Sequence, residues 1–176
     1  NMPTVFYRNQ PGIAKSLGHV PLAGDAHVYT VKKLLWPEEV TTFLQAELIA
    51  TSINVCCGKS RLCDYQLDLH ENAGIKADAT RLPLKDNSID TVLCDPPYNG
   101  KFQWNHDMLS ELCRVASRRI IFQHWFVPAN KHGYYKKNHS FRLSGLYAWQ
   151  PKTYFGRVQM ISIFDYCEPE QPSLFV

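Results

Sequence analysis

Nowhere in its 176 residues does the chain carry an apolar run approaching the roughly 18 to 20 residues that span a bilayer. This excludes a transmembrane helix and sets membrane partners aside. The opening Asn1-Met2-Pro3-Thr4 lacks a charged segment followed by an apolar one, so a cytoplasmic protein is expected. No C-x-x-C pair occurs among the six cysteines, which are too few for a disulfide scaffold. Cys56, Cys57, Cys94 and Cys167 sit in strand-like runs and Cys113 in a helical pattern, the places of buried thiols. A zinc set of Cys56, Cys57, Cys63 and His70 lacks the paired ligand spacing such sites use, and no metal is expected. What the chain does have, 45% apolar and 20% charged residues, is ordinary for one domain with a real core and excludes disorder, collagen and low complexity.

Acidic residues are absent from one long stretch. Between Leu112 and Phe164 there is no Asp or Glu, while Arg114, Arg118, Arg119, Lys131, Lys136, Lys137, Arg142, Lys152 and Arg157 give +9. The remainder, with ten basic and sixteen acidic residues, carries −6, and the sum is the net charge of +3. The basic stretch also holds eleven of the 22 aromatics, including Tyr134 and Tyr135 beside Lys136 and Lys137. Cations neutralise phosphates and flat rings stack on bases, so nucleic acid, DNA or RNA, is the expected partner.

Residues 2–35, punctuated by Pro11-Gly12, Gly18, Pro21 and Gly24, read as an irregular arm. A domain over 36–167 and a tail over 168–176 follow. Trp36-Pro37-Glu38-Glu39 opens a helix, with Pro at the first position, two acids near the positive end of the dipole, and Val40, Phe43, Leu44 and Leu48 on one face. Ile53 to Cys57, Tyr65 to Leu69 and Gly74 to Ala77 are short strands. Ile89 to Cys94 is nearly all apolar, as a strand buried on both faces of a parallel sheet must be. His106 to Ala116 has helical spacing. Arg119 to Val127, Phe141 to Trp149 and Arg157 to Tyr166 complete the β segments. Strands mixed with helices and then a hairpin-like pair predict an open α/β sheet with its ligands at the carboxyl ends of the strands.

Asp95-Pro96-Pro97-Tyr98 stops the most apolar strand. Two prolines stiffen the backbone and remove its N–H donors. The corner therefore offers carbonyl oxygens, a carboxylate and a ring, a set that accepts hydrogen bonds from an amino group and stacks on a planar base. Asn99, Lys101, Phe102 and Trp104 come next and are candidates to line the entrance for that base. Pro128 to Ser140, with Lys136 and Lys137, is a candidate substrate loop. His124, ending a strand on the same edge, is expected to be structural, since nothing in amine chemistry of this kind requires an imidazole.

On these residues the chain resembles the class I S-adenosylmethionine-dependent amino-methyltransferases with a D-P-P-Y motif, best known among adenine-N6 enzymes; the resemblance runs from Ile53 to Tyr166. It implies a single-domain Rossmann-like sheet of about seven strands, mostly parallel, with an antiparallel last strand. It implies S-adenosylmethionine as cofactor, and methyl transfer to the exocyclic amine of a nucleic-acid base, adenine N6 first, with cytosine N4 and guanine N2 as alternatives. Asp95 and the Pro96 carbonyl would bind the amine and Tyr98 would stack, with Pro97 completing the corner. Gly58, following Cys57 at the end of the first strand, matches the cofactor loop, Asp68 the acid that meets the ribose, and Asp78-Ala79 the residues beside the adenine, with Cys57 and Ser60 as further candidates to bind the cofactor. One departure stands out: Gly58 to Asp64 is too short for the helix that a parallel crossover normally carries. That helix is expected to be shortened or missing, Ser60 and Arg61 to take over its work, and either Asp64 or Asp68 to meet the ribose. A non-catalytic binding platform on the same fold is the competing reading. No insertion is long enough for a separate target-recognition segment, so a recognition subunit or a homodimer is a further expected partner.

Overall fold

The computed structural model describes residues 6–10, 13–15, 36–97, 106–124, 140–149 and 159–167. In chain order these form β1 (Phe6–Gln10), β2 (Ile13–Lys15), α1 (Glu38–Glu47), β3 (Ser52–Val55), β4 (Tyr65–Asp68), β5 (Ile75–Lys76), β6 (Ile89–Cys94), α2 (His106–Val115), β7 (Ala116–His124), β8 (Phe141–Trp149) and β9 (Gln159–Tyr166). All nine strands join one sheet in the order β2-β1-β8-β9-β7-β6-β3-β4-β5. From β5 across to β7 the pairs are parallel, whereas β9 runs antiparallel to both β7 and β8. The seven strands β3 to β9 are thus the expected mostly parallel sheet with its last strand reversed.

The two extra strands correct the reading of residues 2–35 as irregular. Phe6–Gln10 pairs antiparallel with β8, and Ile13–Lys15 pairs with β1, starting from Gln10↔Ile13 on either side of Pro11-Gly12. What local composition did not reveal is that β8 offers an unpaired edge, whose N–H and C=O groups recruit a strand.

Alternation along the central strands sorts the core into two layers. Ile53, Val55, Val92, Cys94, Ile120 and Phe122 point to the face covered by α2, where Met108, Leu112 and Val115 follow at helical spacing and are fully buried. Leu93, Ile121, Ile161 and Ile163 point to the opposite face and meet Val40 and Leu44 of α1. Pro37 is the N-cap of α1 rather than its first helical residue. Both ends of this helix are tied to β7. At its start the Trp36 indole N–H donates to Gln123, and at its end the carboxylate and carbonyl of Glu47 accept from Arg119 at 2.9 and 3.0 Å. The N-terminus of α1 therefore lies at the carboxyl edge of the parallel strands. Among the described residues no helix is long and apolar enough to cross a membrane.

No helix connects β3 to β4, β4 to β5 or β5 to β6. The first connection is the nine residues 56–64, which confirms the missing helix and lays Cys57, Ser60 and Cys63 over the sheet instead. The third, residues 77–88, is moored by α2. Glu111 accepts from the Leu82 N–H at 2.7 Å, and the Arg114 guanidinium donates to the carbonyls of Leu82 and Leu84 and to Asp86 at 2.7 to 3.0 Å. Side-chain ties do the work that crossover helices usually do.

Candidate active site

Four adjacent strands deliver the site residues to one edge. Gly58 follows β3, Asp68 ends β4, Asp78 lies two residues beyond β5, and Asp95 follows β6 directly. The ladder carries on just past the strands, with the Asp95 N–H donating to the Val55 carbonyl at 3.4 Å and the Ala77 N–H to the Asp68 carbonyl at 3.2 Å. All four residues thus line the carboxyl edge, where a parallel sheet places its ligands.

The loop after β3 turns sharply. Cys56 and Gly58 both have positive φ, 57° and 53°. This is the left-handed region, which glycine enters without the cost a side chain incurs. Between them Cys57 is buried, its N–H donating to the Leu67 carbonyl at 3.1 Å and its thiol to the Gly58 carbonyl at 3.4 Å. Burial and the nearby Asp68 push that thiol up to about 11, so it stays protonated and inert. Ser60 closes the turn through its N–H on the Cys57 carbonyl at 2.9 Å. Arg61 then spans the edge, donating to the carbonyls of Gly58, Ser60 and Asn72 at 3.4, 2.8 and 2.8 Å. It fastens the loop after β3 to the loop after β4.

Asp68 is the hinge of this arrangement. Its Oδ2 accepts from the Gly58 N–H at 3.0 Å, and its Oδ1 from the N–H groups of His70 and Glu71 at 2.8 and 3.1 Å. Burial by itself would raise this carboxyl. The three N–H groups and His70 outweigh it and hold the group below its ordinary value. Asp78 is exposed and held low by Thr80, which donates both its N–H and its hydroxyl at 2.8 Å. Ala79 turns the other way, into the core.

Asp64 does not come to this edge. It sits at the opposite end of β3, where the Ser52 N–H and hydroxyl both donate to its Oδ2 at 2.8 Å and hold its carboxyl low. Of the two acids considered for the ribose, only Asp68 lies at the carboxyl edge. The reason is directional: β4 runs parallel to β3, with Ile53 opposite Tyr65, so the residue before Tyr65 must lie at the start of both strands.

At the motif, Asp95 is half-buried, Pro96 buried and Pro97 exposed. Tyr98, Asn99, Lys101, Phe102, Trp104, Lys136 and Lys137 lie outside the described residues. Cys94, beneath the motif, is raised well above an ordinary thiol by burial, by the Cys56 side chain and by Asp95. His124 is fully buried with its Nε2 2.6 Å from the Ser162 hydroxyl, the structural part expected of it. Among the described residues no three His, Cys, Asp or Glu side chains gather to hold a metal ion.

Three residues escaped the sequence reading. Asn54 is fully buried in β3, and neither its Oδ1 nor its Nδ2 has a hydrogen-bond partner among the described residues. Leaving such an amide unsatisfied costs about 1 to 3 kcal/mol. A polar residue inside the apolar run Ile53 to Cys57 was the available signal. Trp36 and Gln123 form a part-buried contact, indole N–H to Oε1 at 2.5 Å, and Gln123 Nε2 lies 3.4 Å from Gln159 Oε1. Nothing local marks that pair.

The basic stretch is also less free than its charge suggests. Arg119 is buried between Asp165, at 2.6 and 3.1 Å, and Glu47, while Arg114 is engaged by Glu111 and Asp86. Arg118 and Arg142 are exposed.

Comparison with solved structures places this architecture. The chain superposes on magnesium protoporphyrin IX methyltransferase from Synechocystis PCC 6803 with bound SAM at a TM-score of 0.50 and 18% identity, over 73% of this chain and 79% of that one. The same enzyme with bound SAH gives 0.50 and 17%, over 82% and 90%. A SAM-dependent methyltransferase from Methanosarcina mazei gives 0.50 and 10%, over 75% of this chain and 98% of that one. The fold is that of the SAM-dependent methyltransferases. No protein-family model matches the chain, and no curated protein matches it significantly. On the methyltransferase fold, the edge carrying Gly58, Asp68, Asp78 and Asp95 is the carboxyl edge of the parallel strands.

Proposed function

We propose that the chain transfers a methyl group from S-adenosylmethionine to an exocyclic amine of a nucleic-acid base, adenine N6 first. One observation carries this reading: Gly58, Asp68, Asp78 and the Asp95 corner stand in a row at the ends of four neighbouring parallel strands. The row supports a cofactor site at one end and an amine acceptor at the other.

The residues fit the cofactor. Asp68, ionised beside the Gly58 turn, would take the ribose, Asp78 the adenine, and the Asn54 amide, without a partner among the described residues, would supply polar groups on the strand that leads into the loop. The bound cofactor supplies a sulfonium methyl that is already activated. Position and polarisation are left to the chain. A base amine is a poor nucleophile because its lone pair is delocalised into the ring. Accepting its N–H groups on Asp95 and the Pro96 carbonyl favours a pyramidal nitrogen and stabilises the positive charge that develops there. The proton can leave after transfer, so Asp95 need not act as a base beforehand. Tyr98 would hold the ring by stacking, and a base in a duplex would have to be flipped out.

The partner in this reading is DNA or RNA, met by Lys131, Lys136, Lys137, Lys152 and Arg157 of the basic stretch, with a recognition subunit or homodimer supplying target choice. The nine-residue connection after β3 favours a second reading, a platform that binds nucleic acid without catalysis. Labelled methyl transfer into DNA, RNA and protein pools, with Asp95→Ala beside the parent, tests both. The expected result is label in a nucleic-acid pool, reduced about a hundredfold or more by the substitution, with calorimetric binding of S-adenosylmethionine retained. Label in protein alone, or no cofactor binding at millimolar concentration, overturns the enzyme reading.

A further inference from the structure

Two thiols meet beneath the candidate site. Val55 pairs with Cys94 across β3 and β6, so Cys56 is the next residue along and stands at the carboxyl edge. Strict alternation would send its side chain to the α1 face with Asn54. The left-handed turn at φ 57° carries it to the α2 face instead, where it packs against the cluster that contains Cys94. There the two side chains interact directly: burial first, and then a hydrogen bond with Cys56, raise the Cys94 thiol well above an ordinary one. Cys56 is half-buried and Cys94 fully buried, and both are free thiols. The other thiols of this loop are placed differently. Cys57 is buried and bonded to the Gly58 carbonyl, and Cys63 packs on the α1 face, pushed up to about 12 mainly by burial.

We infer that Cys56 is an oxidation site and Cys94 its resolving partner, the two closing into a reversible disulfide when hydrogen peroxide reaches this edge. The Cys56 sulfur attacks the peroxide first: an S–O bond forms, the O–O bond breaks, and the leaving hydroxide carries off the thiol proton as water. The Cys94 sulfur then attacks the sulfenic acid. An S–S bond forms, the S–O bond breaks, and the Cys94 proton departs in a second water, so the two sulfurs have given two electrons to the peroxide. Burial shields Cys94 from oxidants in solution but not from a sulfur already beside it. A sulfur–sulfur bond is about 2.0 Å long, far shorter than the gap between two thiols in contact. Closing it draws Cys56 towards β6 and shifts the turn that Gly58 completes, taking the Gly58 N–H away from the Asp68 carboxylate that holds it at 3.0 Å. The thiol chemistry is independent of the methyltransferase reading; on that reading it loosens the cofactor loop.

The test treats the full chain with hydrogen peroxide and then with dithiothreitol. Tryptic mapping should find the peptide ending at Lys59 joined to the one from Asp86 to Lys101, and the six free thiols should fall by two and return on reduction. Cys56 and Cys57 share the first peptide, so Cys57→Ser is included and should keep the link, whereas Cys56→Ser should lose it. Should Cys56→Ser fail to fold, Cys94→Ala serves as the second variant: with no resolving sulfur, the sulfenic acid at Cys56 should be trapped by dimedone. Hydrogen exchange at the Gly58 amide should quicken about tenfold in the linked parent, the loss of one hydrogen bond, and affinity for S-adenosylmethionine should fall by a similar factor. A link to any other cysteine, six thiols surviving peroxide, or Gly58 exchange that is equal in the linked and reduced protein overturns this inference. Absence of cofactor binding in the reduced protein overturns the methyltransferase reading alone.

Discussion

The carboxylate of Asp68 lies 3.0 Å from the backbone N–H of Gly58, so the acid matched to the ribose also holds the loop that stands in for the first crossover helix. In the proposed reading, cofactor binding and loop order are coupled through one side chain. In most sheets of this class a helix would fix the turn after β3, and the acid on the next strand would be left to the ligand. Here Asp68 holds the turn, and in the proposed reading it takes the ribose as well.

Asp68→Asn keeps the shape, but its amide nitrogen cannot accept, so either Gly58 or the His70 and Glu71 N–H groups lose their acceptor. Calorimetry should show S-adenosylmethionine affinity reduced about tenfold or more, with a lower Tm. Asp64→Ala is the contrast. It breaks the Ser52 contact at the far end of β3, so it should lower Tm while leaving cofactor affinity within about twofold of the parent. A parallel loss of affinity in both variants would mean that the loop, not the Asp68 carboxylate, is being measured.

Stability should fall on the acid side. The carboxyls of Asp64, Asp68, Asp78 and Glu111 are all held below their ordinary values, Glu111 mainly by its bond from Arg114. A group lowered in the folded state binds its proton more readily in the unfolded one. Its contribution is complete above the unfolded value of about 4 and disappears as pH falls through the folded value. Urea midpoints measured from pH 6 down to pH 3 should be level at first and then drop, and Asp68→Asn should flatten the drop. A midpoint that holds steady to pH 3 would contradict the assignment.

Arg119 is a structural cation. With its side chain 9% exposed and its guanidinium shared between Asp165 and Glu47, removal leaves two carboxylates without their partner at the start of β7. Arg119→Met should cost about 3 kcal/mol in urea unfolding, because breaking one side of a buried ion pair is far worse than removing both. A loss below about 1 kcal/mol would show that water relieves the acids.

Nucleic-acid affinity should distinguish the cations engaged within the fold from the lysines of the basic stretch. Lys136→Ala and Lys137→Ala should each lower the slope of log affinity against log salt by about 1. Arg114→Gln, which disturbs a cation already engaged by Glu111 and Asp86, should leave the slope unchanged wherever the variant stays folded. Fluorescence anisotropy over a salt series measures both. Equal slopes for all three variants would remove the basic stretch as the contact surface.

The chain's local pattern settled much of this molecule in advance. Strand boundaries for Ile89–Cys94 and Phe141–Trp149 follow directly from apolar runs and their flanking breaks, because burial on a sheet face is decided residue by residue at short range. The missing crossover helix was equally visible, since chain length limits what nine residues can span. The position of Asp95 at the end of the most apolar strand needed nothing more than the two prolines beside it.

Long-range pairing was a different matter. Arg119 counts as a free positive charge until the sheet brings Asp165 and Glu47 to it across 46 and 72 residues of sequence, and Trp36 meets Gln123 across 87. Asp64 and Asp68 are equivalent as turn acids until strand direction sends one to each end of β3. Periodicity reports which face a residue takes. Which partner waits on that face depends on strand order and register, and these exist only once the sheet has assembled.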